Sequence, residues 1–192
     1  MHYLTIASFL LSTALLTSAA PTPTSDADLV PRACSTLYPD IARVEQARPV
    51  ESYLPGFIVA QDAGATNIKD AFAEFTVPPS SYGCQLEVYF PAGYPINTWG
   101  ANQVYVYSLD GPLSRSPRGI DVSWAYDAPN IVSQVGTVTF GSKPNEPTRV
   151  VINSFQCRPK MAFRFSIASE NQAGYVEFVQ SQAAGLRMTY NC

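Results

Sequence analysis

Residues 160–169 read KMAFRFSIAS. In an extended chain Met161, Phe163, Phe165 and Ile167 point one way, while Ala162, Arg164 and Ser166 point the other. This period of two is the mark of a half-buried β-strand. Residues 84–90, CQLEVYF, repeat it, with Cys84, Leu86, Val88 and Phe90 opposite Gln85, Glu87 and Tyr89. So do residues 119–126, GIDVSWAY, where Ile120, Val122, Trp124 and Tyr126 share a face, and the C-terminal GLRMTYNC, where Leu186, Met188 and Tyr190 do.

Further strands are expected at GFIVAQ from Gly56, AFAEFTV from Ala71, QVYVYSL from Gln103, QVGTVTF from Gln134, TRVVINSF from Thr148 and GYVEFV from Gly174. Between them lie turn-rich breaks, VPPSSYG, FPAGYPINTWGAN, LDGPLSRSPRG and GSKPNEPT, whose Gly and Pro interrupt regular structure. About ten short strands with one apolar face imply an all-β fold, an antiparallel β-sandwich of two packed sheets. One short N-terminal helix is expected over Leu37–Ala47, where Leu37, Ile41 and Val44 fall at helical spacing and Asp40 stands as a cap. No internal repeat and no second composition regime marks another domain.

The first residues, MHYLTIASFLLSTALLTSAA, join an apolar run to a small-residue site. They read as a secretory signal peptide over residues 1–19, too short to span a bilayer. PTPTSDADLVPR follows, rich in Pro and poor in core-forming residues. Residues 20–33 are accordingly expected to be a disordered spacer or pro-segment, and residues 34–192 a single β-sandwich domain. A secreted, extracellular or wall-associated protein, free of the membrane once the signal is removed, is the expectation.

All four cysteines, Cys34, Cys84, Cys157 and Cys192, fall in that domain. An even count in an exported chain implies two disulfides, of three possible connectivities. Cys34 and Cys192 bracket the domain, and Cys84 and Cys157 stand close before alternating strands, which favours Cys34–Cys192 with Cys84–Cys157.

Charged residues make up 14% of the chain and the net charge is −3, with Lys and Arg scattered singly. That is no electrostatic footprint for nucleic acid. The only histidine, His2, lies within the signal peptide. The domain therefore lacks the base of Ser-His-Asp and Cys-His hydrolysis and the usual His ligands of zinc, copper and iron. No catalytic residue, metal site or cofactor is assigned. Carboxylate-pair chemistry remains, for which Glu74, Glu87, Asp121 and Glu177 are the mid-strand candidates. Alternation makes Glu87 and Asp121 outward, solvated side chains.

A binding surface is easier to build. Sugar rings stack on exposed aromatic planes. Trp99, with Tyr105 and Tyr107 alternating on the following strand, is the candidate platform, the rival reading being that Trp99 covers one end of the sandwich. Trp124 shares a face with Ile120 and Val122 and is expected in the core.

The segments FIVAQDAGATNIKDAFAEFTVP (57–78), GCQLEVYFPAG (83–93), INSFQCRPKMAFRFSI (152–167), GYVEFVQ (174–180) and GLRMTYNC (185–192) together resemble the But2 C-terminal domain family of secreted fungal proteins. The resemblance implies a signal peptide, a β-sandwich and cysteines at the places of Cys84, Cys157 and Cys192, and supplies no catalytic residues. The family takes its name from a fission-yeast protein reported to bind a subunit of the enzyme activating a ubiquitin-like modifier. Such an intracellular role conflicts with the export signal here. The reading that results is a non-enzymatic extracellular or cell-wall binding module or small secreted effector, with a wall or host-surface polysaccharide or protein as partner. A carboxylate-dependent glycan-active enzyme is the alternative.

Overall fold

The computed structural model describes residues 33–126 and 128–192. The signal peptide expected over residues 1–19, and all but the last residue of the spacer expected over 20–33, lie outside them. Fourteen strands and no helix occur among the described residues. In chain order they are β1 (Ser35–Leu37), β2 (Asp40–Glu45), β3 (Phe57–Asp62), β4 (Thr66–Thr76), β5 (Cys84–Phe90), β6 (Asn97–Gly100) and β7 (Gln103–Leu109). There follow β8 (Arg115–Ser116), β9 (Gly119–Ile120), β10 (Ile131–Thr139), β11 (Thr148–Phe155), β12 (Lys160–Ile167), β13 (Gly174–Phe178) and β14 (Gly185–Tyr190).

Every pairing among them is antiparallel. One sheet has the order β1-β14-β5-β11. The other has eight strands, β10-β7-β12-β4-β3-β13-β6, with β2 added on β4, and β8 and β9 make a separate ribbon. The expected alternation faces inward from both sheets. Leu86, Val88, Phe90, Leu186 and Met188 of the first meet Phe57, Val59, Phe163, Phe165 and Val176 of the second in one buried cluster. Phe57, Phe140 and Phe178 stack at its centre, with ring centroids 4.3 to 5.3 Å apart. Each such buried ring contributes roughly 1.5–3 kcal/mol relative to an exposed one. The fold is therefore a sandwich whose sequence period and core coincide.

Both favoured disulfides are present, Cys34–Cys192 and Cys84–Cys157, and no cysteine is free. They close loops with sequence separations of 158 and 73 residues, for which chain entropy sets an upper limit of about 4–5 kcal/mol each. Cys34–Cys192 also ties the start of β1 to the end of β14, which pair from Ser35↔Tyr190.

Two expectations need correction. The segment Leu37–Ala47 is extended, not helical: β2 runs along β4 from Asp40↔Glu74 to Glu45↔Lys69. Ala42 and Val44 point into a second buried cluster while Ile41 packs on the main core. The spacing of Leu37, Ile41 and Val44 suits a helix, but an isolated helix of that length pays a nucleation cost. As a strand the segment instead satisfies its backbone on the open side of β4. In GIDVSWAY only Gly119 and Ile120 are strand. The remainder folds as an irregular cover, whose Val122 joins Ile120 and Leu113 over Phe72, Ala42 and Val44.

That cover buries both faces of β4. Ala71, Ala73 and Phe75 face the main core, and Phe72 the second cluster.

Candidate functional site

The second cluster explains why β4 carries acids that are not solvated. Glu74 is 1% exposed. Its Oε2 accepts the Leu113 backbone N–H at 2.7 Å, and its Oε1 accepts from Arg115 at 2.7 Å and Lys160 at 3.2 Å. Glu87, expected outward and solvated, is fully buried on the outer face of the other sheet, between Arg149 and Arg187. Arg187 also lies over the Tyr89 ring, 4.2 Å from its centre. Alternation gave the face correctly, but not the arginines that close over it. Asp70 is buried beneath Arg164, and burial, the dominant influence, raises its pKa. Asp121 is held below its ordinary value by hydrogen bonds from Tyr53 and Ser52.

Trp99 is half exposed and does not join Tyr105 and Tyr107. Although β6 and β7 are consecutive in the chain, β12, β4, β3 and β13 stand between them in the sheet. Tyr105 and Tyr107 contact each other at 6.1 Å and pair in register with Ser166 and Arg164. Trp124 packs on the second cluster, where Arg164 approaches its ring at 5.8 Å.

The partner of Trp99 is Tyr175. The two are opposed across β6 and β13, with ring centroids 5.9 Å apart and planes 7° from parallel. Glycine makes this approach possible. Gly100 and Gly174 pair next to them. A Cβ on Gly100 would lie 2.3 Å from the Ala173 carbonyl oxygen, and one on Gly174 2.1 Å from that of Ala101.

Following the register sideways, Tyr175 opposes Ala60 on β3, Ala60 opposes Lys69 on β4, and Lys69 opposes Glu45 on β2. One row across five strands thus reads Trp99, Tyr175, Ala60, Lys69, Glu45. These five residues line a cavity of about 340 Å³. Large side chains stand at either end of the row, and the small Ala60 lies between them as a floor. Asp62 and Asn67 add to its wall, Asn67 Nδ2 donating to Asp62 Oδ2 at 2.6 Å.

The polar end is preorganised. Glu45 is 3% exposed and accepts hydrogen bonds from Arg43 Nε at 2.9 Å and Arg48 Nη2 at 2.6 Å, with Lys69 Nζ at 3.8 Å. Burial alone would raise its pKa. The bonds from Arg43 and Arg48 and the charges of Lys69 and Arg48 outweigh that and hold it below the usual carboxylate value. Tyr175 behaves oppositely: burial, aided by its hydrogen bond to Glu177, pushes its pKa up to about 12. Its hydroxyl donates to Glu177 Oε2 at 2.8 Å. The ring is thereby fixed as a neutral plane and the carboxylate as an acceptor.

A glycan-cleaving acid must stay protonated in an accessible cleft. Glu45 is driven the other way, and Asp70, the buried acid with a raised pKa, is covered by Arg164. Among the described residues no three Cys, His, Asp or Glu side chains gather as a metal site requires. The geometry suits holding a ligand: an apolar plane on one side, and fixed donors and acceptors on the other.

The sequence analysis missed Tyr175 and Glu45. Tyr175 stands in an expected strand as one outward residue among many, and Glu45 fell within the expected helix. A scan against protein-family models finds no match for this chain, nor does a search of curated proteins.

Proposed function

We propose that this chain is a secreted, non-enzymatic binding module that recognises a wall or host-surface polysaccharide through the Trp99–Tyr175 groove. The observation that carries the proposal is the pair of nearly parallel rings beside a cavity with a polar wall, Trp99 half exposed and Tyr175 clamped by Glu177. An exposed tryptophan plane offers a sugar ring its apolar face, and the surrounding amide and charged groups offer hydrogen bonds to its hydroxyls. Two disulfides are compatible with an extracellular setting. The signal peptide and the resemblance to the But2 C-terminal domain family support export from a fungal cell.

Co-sedimentation with insoluble chitin and β-glucan tests this. The native protein is expected in the pellet, and Trp99→Ala in the supernatant. Equal retention of both would remove the groove from the account.

A further inference from the structure

Beyond Tyr175 the same two strands, β3 and β13, carry further cavity-lining residues. Along β13 the next residue on the same face is Glu177, paired with Ile58 as Tyr175 is paired with Ala60. Glu177 and Ile58 line a second cavity of about 400 Å³, with Gly56, Asp40, Val179 and Gln180. The same two strands therefore underlie both spaces.

Arg43 joins them from the other side. Its Nε bonds Glu45, which lines the first cavity. Its Nη1 donates to the Pro55 carbonyl, beside Gly56, which lines the second. Tyr175 and Glu177 are hydrogen-bonded from one cavity to the next on the facing wall. A guanidinium and a phenol–carboxylate pair thus tie the walls of the two cavities together, all three held in place by partners within the fold. From Tyr175 to Phe178 the strand advances about 10 Å, more than one sugar ring occupies.

Charge narrows the ligand further. Counting the charged residues that line the two cavities together with the cations paired to them, Arg43, Arg48, Lys69 and Arg115 stand against Glu45, Asp62, Glu177 and Asp40, so the two spaces carry no excess of either sign. A polyanion would be repelled by Glu177 and Asp62, and a polycation by Arg43, Arg48 and Lys69, three cations gathered on the one carboxylate of Glu45.

Resting on the saccharide reading above, we infer that the ligand is a neutral, linear oligosaccharide. One unit stacks on Trp99, and the chain continues along β13, past Arg43 and Glu177, into the second lobe.

Isothermal titration with neutral β-glucan or chitin oligosaccharides of increasing length, and with a polyuronate, tests the inference. Affinity is expected to rise at least tenfold from disaccharide to tetrasaccharide, with the polyuronate binding more weakly than the neutral chain. Ile58→Lys, a change at an outward strand position in the second lobe only, is expected to abolish that length dependence and leave disaccharide affinity unchanged. Trp99→Ala is expected to weaken every length. Length-independent binding that still requires Trp99, or tighter binding of the polyuronate, would overturn the extended neutral ligand and leave the module reading standing. Absence of binding to every saccharide would overturn both.

Discussion

Trp99 and Tyr175, distant in sequence, are direct cross-strand partners, their rings 5.9 Å apart and within 7° of parallel. Neither ring is placed by its own neighbours in the chain. The pairing of β6 with β13 brings them together, and that pairing depends on two glycines that let the backbones approach. From this relationship the site's geometry follows, along with a set of measurable consequences.

Gly174→Ala is expected to disturb the platform without touching either ring. The added Cβ would fall 2.1 Å from the Ala101 oxygen, a backbone contact that can be relieved only by moving β6 away. Overpacking of this kind costs about 1–3 kcal/mol. Urea unfolding should show the loss, and polysaccharide binding should fall with it. Gly111→Ala, which meets nothing within 4 Å, should leave both unchanged.

The same pairing shows what could be read from the chain and what could not. Strands β5, β7 and β11 match their expected spans residue for residue, since each is rich in β-branched or aromatic residues and bounded by turn residues. Trp99 stood out because a tryptophan in a Gly- and Asn-rich break has no core position to occupy. Its partner did not stand out, because register between β6 and β13 is a long-range property that neither segment carries alone. Tyr105 and Tyr107 were attractive only through proximity in sequence. The error over Leu37–Ala47 has a related origin: apolar residues at i, i+4 and i+7 fit a helix, and only the open side of β4 makes the strand preferable.

Glu74 is expected to be the costliest of the buried acids to remove. Its carboxylate serves a backbone N–H and two cations at once, so Glu74→Ala leaves Arg115, Lys160 and the Leu113 amide without it. Breaking a buried ion pair from one side costs about 3–5 kcal/mol, and the urea midpoint should drop accordingly. Replacing the exposed Glu146, paired only with Lys143 on the surface, should change stability by less than about 1 kcal/mol.

Glu45 should give the fold part of its acid sensitivity. Its pKa is lowered in the folded chain, so the folded state holds the ionised form more strongly than the unfolded state does. The resulting stability is complete above the unfolded value of about 4.5 and disappears as pH falls through the lower folded value. Thermal unfolding from pH 7 down to pH 2 should show the native protein well above Glu45→Gln at neutral pH, with the gap closing in acid. A gap that widened toward acid would contradict the assignment.

The central claim, that a saccharide rests on Trp99, can be tested by its fluorescence. Trp99 and Trp124 are the only tryptophans in the chain, so Trp124→Phe leaves Trp99 as the sole indole reporter. Titration of this variant with a soluble β-glucan or chitin oligosaccharide should give a saturable blue shift of the emission as the half-exposed ring is covered, with the same midpoint as binding measured by calorimetry. Saturable calorimetric binding with no change in Trp99 emission would place the ligand elsewhere and contradict the account.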